Sequence, residues 1–317
     1  MKRIAALLTI VLIFGIMTSG CARPGGKPAG ASTDAGVDSG KINIYASFYP
    51  MYFLASEIAG DKATVTSMVP AGAEPHDWEP TPKFAAELNK ADMLIYNGAG
   101  MESWMENILP IIDNDNIKIV DASKGIELLK AEEHGDGEGH EHGIYDPHIW
   151  VSPKRIAQQA NTVYEAIKEL NPQNADYYEA NMKALVERLN KLDGDIRDSI
   201  KSFNSNVIVV SHEAFGYFAN DYGLRQVAIR GVNPQDEPSP AEMAKLVQIC
   251  KENNVRYVFF EKLTSPKLSE TLAREVGGDT LILNDAAGLS EEDLKAGKDY
   301  ISVMYENLEN LKKALGD

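Results

Sequence analysis

From residue 41 onward, short apolar runs alternate with amphipathic stretches of helical period. Lys41-Ile42-Asn43-Ile44-Tyr45-Ala46 alternates large apolar with polar positions and reads as a strand. Pro50 opens a helix ending near Gly60, and residues 63–69 read as a second strand. The loop AGAEPHDWEPTP follows, in which Thr81 and Pro82 predict an N-cap and a first helical turn. Residues 93–96 predict a short buried strand, 102–109 a helix and 117–120 a strand. Pro153 starts a helix that runs to about Leu170, and Asn171-Pro172 starts another that runs to about Phe203. In the latter, Tyr178, Met182, Leu185, Leu189, Leu192 and Ile196 recur at helical spacing. Some 30 residues at about 1.5 Å each make a rod of about 45 Å, too long for one small lobe. Gly194 inside it is a candidate weak point or bend. The alternation then resumes: strands at 207–210, 226–229, 256–260 and 280–283, helices at 214–222, 240–253, 266–276 and 294–315.

Strands alternating with helices imply α/β architecture with mostly parallel sheets. The halves also repeat a detail, because Glu79-Pro80-Thr81-Pro82 matches Glu237-Pro238-Ser239-Pro240. We therefore expect two related α/β lobes, residues 41–170 and 205–317, joined by one long helix at 171–204. A site should lie in the cleft between them, beyond the carboxyl ends of the strands.

The N-terminus belongs to neither lobe. Lys2 and Arg3 precede an uncharged run at 4–17, which reads as a secretory signal over residues 1–20. Thr18-Ser19-Gly20-Cys21 looks like a lipoprotein cleavage site, which makes Cys21 the lipidated first residue. Residues 21–40 are small and polar and read as a flexible tether. The chain has 47 acidic against 31 basic residues, a net charge of −16. This disfavours nucleic acid and is compatible with cations. Apart from Cys21 the only cysteine is Cys250, so no intrachain disulfide is expected; Cys250 falls in an apolar helical pattern and reads as core.

Six histidines decide what chemistry is available. His134, His140 and His142 lie in an acidic, glycine-rich loop at 132–145, which cannot build a core and reads as a loose cation-capturing segment. His76, His148 and His212 fall at strand ends or in connecting loops, and Asp285 follows the 280–283 strand by two residues. Their convergence would present three imidazoles and one carboxylate, a donor set that suits tetrahedral zinc. Glu237 is a candidate acceptor behind a ligand imidazole, or else a cap of the helix it precedes. Glu261 and Trp78 read as packing or cleft-wall residues. Three histidines and a water could also make a hydrolytic site. The chain carries neither an HExxH helix nor a GxSxG elbow.

PAGAEPHDWEPTP, DPHIWVSP, SHEAFGYFA and LNDAAG resemble, in order, motifs of the solute-binding proteins of metal-uptake ABC transporters. The resemblance covers about residue 41 to the end. It implies two lobes bridged by a rigid helix, with one divalent cation in the cleft. Carried over position by position, it implies His76, His148, His212 and Asp285 as ligands. Manganese-type members tend to have Glu where this chain has His212. Some zinc-type members supply a carboxylate where this chain has Ala287, which leaves Asp285, or a water, for the fourth position. Many zinc-type members also carry a His- and acid-rich loop. The expectation is a monomeric extracytoplasmic receptor, anchored to the bilayer through acylated Cys21, that delivers Zn2+ to an ABC permease and catalyses nothing. The alternatives are a Mn2+ receptor of the same family, a zinc-dependent hydrolase, or a surface adhesin.

Overall fold

The first half of the chain builds a four-stranded parallel sheet from β1 (Ile42–Ala46), β2 (Ala63–Ser67), β3 (Met93–Tyr96) and β4 (Lys118–Asp121). Their order is β2-β1-β3-β4. These elements come from a computed structural model, which describes residues 41–131 and 145–316. Because side chains alternate along a strand, each face of the sheet makes its own core. Ile44, Ala46, Met93, Ile95 and Val120 point into the main core, with α1 (Tyr49–Ala59), α4 (Pro153–Leu170) and α5 (Ala175–Ile200). Leu94 faces the other way, into a smaller core with Leu88, Trp104 and Ile108, beside α2 (Pro82–Glu87) and α3 (Met105–Ile108).

The second half contains two parallel pairs, β5 (Val207–Val210) with β6 (Arg225–Ala228), and β7 (Tyr257–Phe260) with β8 (Asp279–Ile282). β5 and β7 lie beside each other. Around them stand α6 (Gly216–Tyr222), α7 (Pro240–Glu252), α8 (Lys267–Val276), α9 (Glu291–Lys295) and α10 (Tyr300–Leu315). Ile208, Val210 and Phe259 join the main core, while Val207, Val209 and Val258 pack with Leu246, Cys250 and Leu272 on the other side. Cys250 is thus a core residue, as its pattern predicted. Among the described residues no helix is long and apolar enough to cross a membrane. The signal, the tether with Cys21, and His134, His140 and His142 lie outside the described residues.

Helix α5 buries the stripe that its period predicted, Tyr178, Met182, Leu185, Leu189, Leu192 and Ile196. Arg188 on its outer face reaches Glu57 of α1 at 2.5 Å and Asp299, the N-cap of α10, at 2.7 Å. Residues from both halves share the main core with α5, and the described residues form one compact unit.

Three elements depart from expectation. Helix α5 runs through Gly194 without a break, since the buried stripe continues across it, with Leu192 before it and Ile196 after it. The predicted helix at 102–109 is only the single turn α3, followed by a 3-10 turn at Leu109–Ile111 in which Pro110 offers no backbone donor. The predicted last helix at 294–315 is two helices. Gly297 takes a left-handed φ of 70°, and Asp299 restarts the chain with a capping box to Ser302.

A methyl group at Gly194 would meet no atom within 4 Å, and its φ is not left-handed. Gly194→Ala should therefore raise stability by about 0.5–1 kcal/mol, read as a higher urea midpoint. A lower midpoint would show that the helix needs glycine there.

Candidate metal centre

Three histidines meet where the two halves face each other. His76 sits in the loop after β2, His148 just before α4, and His212 just after β5. Each leaves the sheet or helix framework at a point where the backbone turns, so the ring is free to project inward. His76 Nε2 and His148 Nε2 are 3.1 Å apart, and His148 Nε2 and His212 Nε2 are 3.3 Å apart. All three offer a ligand atom within 4.8 Å of the others. A tetrahedral zinc with Zn–N of about 2.0–2.1 Å separates its ligand atoms by about 3.3–3.4 Å. The two spacings from His148 are close to edges of such a tetrahedron, and the third pair lies within 4.8 Å. His148 and His212 are buried, and His76 is half-buried.

Behind two of the rings stands a carboxylate. His148 Nδ1 lies 2.8 Å from Asp146 Oδ1, which also accepts the His148 backbone N–H at 2.9 Å. His212 Nδ1 lies 2.9 Å from Glu261 Oε2, a charge contact whose angle falls outside hydrogen-bond geometry. Both carboxylates are almost fully buried, Asp146 at 3 % exposed and Glu261 at 2 %. A carboxylate at Nδ1 keeps the proton there and leaves Nε2 to the cation, with the ring held in one orientation.

The electrostatics divide the rings. Burial, with the neighbouring histidine charges, pushes His76 well below 6.5. Burial and the His212 charge do the same to His148, against a smaller opposing effect of Glu261. Burial would lower His212 as well, but Glu261, with Asp285 and Glu74, outweighs it and takes His212 up to about 9. In turn, burial would raise Glu261, but the charge of His212 holds it below its ordinary value. Asp146 is pushed up to about 7, mainly by burial.

Asp285 lies beside the trio but not among it. Its carboxylate oxygen is outside the 4.8 Å group, and Oδ1 accepts the N–H of Ala287 at 3.2 Å. Its loop is fixed by Asn307 of α10, which brackets Asn284 at 2.8 and 2.6 Å. Burial and the Glu261 charge raise Asp285 to about 6. Glu74 is a second flanking carboxylate that the sequence did not single out. Its Oε1 accepts the His76 N–H at 3.2 Å, and burial, then Asp285, raise it to about 7.

The acceptor behind the imidazoles is not Glu237. That residue is exposed, just before α7, and the cap of α7 is a box between Ser239 and Glu242. Its place is taken by Glu261 and Asp146. Glu261 ends the apolar strand β7, and a carboxylate directly after a buried strand was the one available signal for it. Asp146 was hidden in an Asp-Pro pair that reads as a turn. Trp78 belongs to the packing, edge-on to Trp104 at 5.6 Å.

The segment carrying His148 is held from both halves. Asn97 Nδ2 donates to Pro147 O at 2.9 Å, and buried Glu102 anchors the Asn97 turn through its N–H at 2.8 Å. Trp150 Nε1 donates to Asp285 O at 2.8 Å, and Tyr300 Oη donates to Trp150 O at 2.7 Å. The loop carrying His76 is tied to the second half by Gly72 N donating to Leu289 O at 3.0 Å. It is tied again by Gln235 Nε2 donating to Asp77 Oδ2 at 2.6 Å.

The profile of the family described as ZnuA, zinc-uptake complex component A, periplasmic, matches residues 44–314. A Bacillus subtilis relative, the high-affinity zinc uptake system protein ZnuA, is 38 % identical, over 99 % of this chain and 98 % of its own length. The zinc-binding lipoprotein AdcA of Streptococcus pneumoniae is 39 % identical over 86 % of this chain, which there spans 56 % of the relative's length. The crystal structure of the Zn(II)-bound ZnuA-like domain of that Streptococcus pneumoniae protein superposes with a TM-score of 0.75 at 37 % identity. It covers 88 % of this chain and all of the domain.

Glu261→Gln removes the charge that opposes His212 while keeping the shape. It should lower divalent-cation affinity about 10- to 100-fold, measured by competition with a chromophoric chelator. Unchanged affinity would reduce Glu261 to a packing residue.

Proposed function

Because the chain belongs to the ZnuA family of zinc-uptake complex components, we propose that it is an extracytoplasmic receptor that binds one Zn(II) and delivers it to an ABC permease. The observation that carries this reading is the convergence of His76, His148 and His212 within 4.8 Å, with His148 Nε2 at 3.1 and 3.3 Å from the other two Nε2 atoms. Three imidazoles favour zinc over manganese, whose preferred ligands are carboxylate, carbonyl and water. Asp285 or a water takes the fourth position; Asp285 would have to turn its carboxylate from the Ala287 N–H toward the trio.

In this reading, residues 41–170 and 205–317 are the two lobes and 171–204 the linking helix. The acidic loop with His134, His140 and His142 raises local cation concentration, and Cys21 carries the lipid anchor. The AdcA relative is named a lipoprotein, which supports the anchor. The role is carriage by a monomer, and the bound ion is cargo, not a catalytic centre.

The test is elemental analysis of protein purified without chelator, followed by competitive zinc and manganese titration. About one zinc per chain, with zinc strongly preferred, is the expected result. His148→Ala should lower zinc affinity by orders of magnitude while the protein still melts cooperatively. Zinc binding that survives this substitution, or manganese preferred by the unaltered protein, contradicts the assignment.

The pH dependence follows from His212. Held up to about 9, it carries a proton at neutral pH that zinc must displace, whereas His76 and His148 are already neutral. Apparent zinc affinity should rise about ten-fold per pH unit from about pH 7 and level off above about pH 9. A flat profile over that range would show that His212 is not a protonated ligand awaiting exchange.

A further inference from the structure

Helix α6 starts four residues after His212, yet the residues it grips belong to the other half of the chain. Tyr217, fully buried, donates its hydroxyl to Asp146 O at 2.9 Å and accepts the Leu129 N–H at 3.1 Å. Leu129 O in turn accepts the Asp146 N–H at 2.9 Å, so one phenol oxygen pins both strands of this short stem. Gly216, one residue earlier, lies so near Asp146 Oδ2 that a Cβ at position 216 would collide with it. One helical turn beyond Tyr217, on the same face, buried Asp221 accepts from Ser152 Oγ at 2.8 Å, Arg155 Nε at 2.8 Å and Lys154 Nζ at 2.9 Å. The Arg155 guanidinium also stands over the Tyr217 ring, 5.8 Å from its centroid.

The two grips bracket His148. Upstream, Asp146 sets the ring through Nδ1 and the backbone N–H. Downstream, Ser152 and Arg155 fix the start of α4, which caps the 3-10 turn Ile149–Val151. We propose that Tyr217 and Gly216 are positioning residues for His148, acting through the backbone and the carboxylate of Asp146, so that α6 sets the separation of two ligands, the one it follows and the one it clamps. This rests on the zinc-receptor reading above.

The logic is geometric. Asp146 has one carboxylate oxygen committed to His148 and the other in a space that only the hydrogen of Gly216 leaves open. Its backbone carbonyl is held by Tyr217, so neither end of the residue can swing without losing a contact made to α6. Loss of the phenol oxygen would leave Asp146 O and Leu129 N without this partner, and the imidazole would follow the carboxylate. His148 would still be present, but its Nε2 would no longer be aimed at the point shared with His76 and His212 at 3.1 and 3.3 Å.

The experiment compares Tyr217→Phe, Asp146→Ala and the double variant in the full chain. Readouts are zinc affinity by chelator competition and the visible d–d absorption of the Co(II)-loaded protein, which reports ligand geometry. Tyr217→Phe should lower zinc affinity about ten-fold and weaken the Co(II) band, with a cooperative melt retained. Added to Asp146→Ala it should cost less than a further two-fold, because the tyrosine holds the backbone of the residue whose side chain orients His148. Wild-type affinity and spectrum in Tyr217→Phe, or an equal loss in the Asp146→Ala background, overturns the inference. Should Tyr217→Phe not melt cooperatively, Gly216→Ala decides. It keeps every hydrogen-bonding group and adds one methyl group against Asp146 Oδ2, and unchanged affinity and spectrum would again overturn the inference. If the unaltered protein binds no zinc tightly, it is the receptor reading that fails, before any variant is compared.

Discussion

The structure depends on a buried carboxylate facing the Nδ1 of a buried imidazole, and it uses this arrangement twice. Three imidazoles placed within 4.8 Å of one another in a dry interior would each turn toward whatever partner is nearest. Asp146 behind His148 and Glu261 behind His212 remove that freedom. A buried carboxylate is costly unless it is paired or hydrogen-bonded; Glu261 faces a His212 that carries a proton, and Asp146 Oδ1 accepts the backbone N–H of His148 and lies 2.8 Å from its neutral ring. The cost is offset by orientation. Each Nε2 is left facing the shared point, and little ordering remains to be done when a cation arrives.

The fold supplies the two carboxylates from different places. Asp146 lies in a loop that the first half pins through Asn97 and the second half through Tyr217. Glu261 lies at the end of β7, beside β5, whose end carries His212. The parallel alternation puts these chain ends on one side of the sheets, and α5 packs into a core shared by both halves. His76 is the least enclosed of the three, on a loop tied across by Gly72 and Asp77.

Much of this was legible in the sequence. The apolar stripe of α5 and the caps at Thr81 and Ser239 are local signals, and the elements follow them. The three histidines were legible because each falls where a predicted strand or helix gives way to a loop. Their acceptors were not. Pairing His212 with Glu261 depends on β5 lying beside β7, an arrangement between segments some fifty residues apart that no local pattern encodes. Glu237 attracted attention through a repeated motif, but it precedes a helix whose cap is made by its neighbours, and it faces outward. Asp285 was legible as a residue near the site. The direction of its carboxylate, which Ala287 N–H and the Asn284–Asn307 contacts decide, was not. The split between α9 and α10 depended on the backbone conformation of Gly297, against an apolar period that runs on through it.

The most direct test of the central claim is X-ray absorption at the zinc edge of the zinc-loaded protein. The account predicts four light-atom ligands, three of them imidazoles at about 2.0–2.1 Å with the outer-shell scattering of rigid rings, and no sulfur. A first shell dominated by oxygen, or one with fewer than three imidazoles, would show that the cation is not held by His76, His148 and His212.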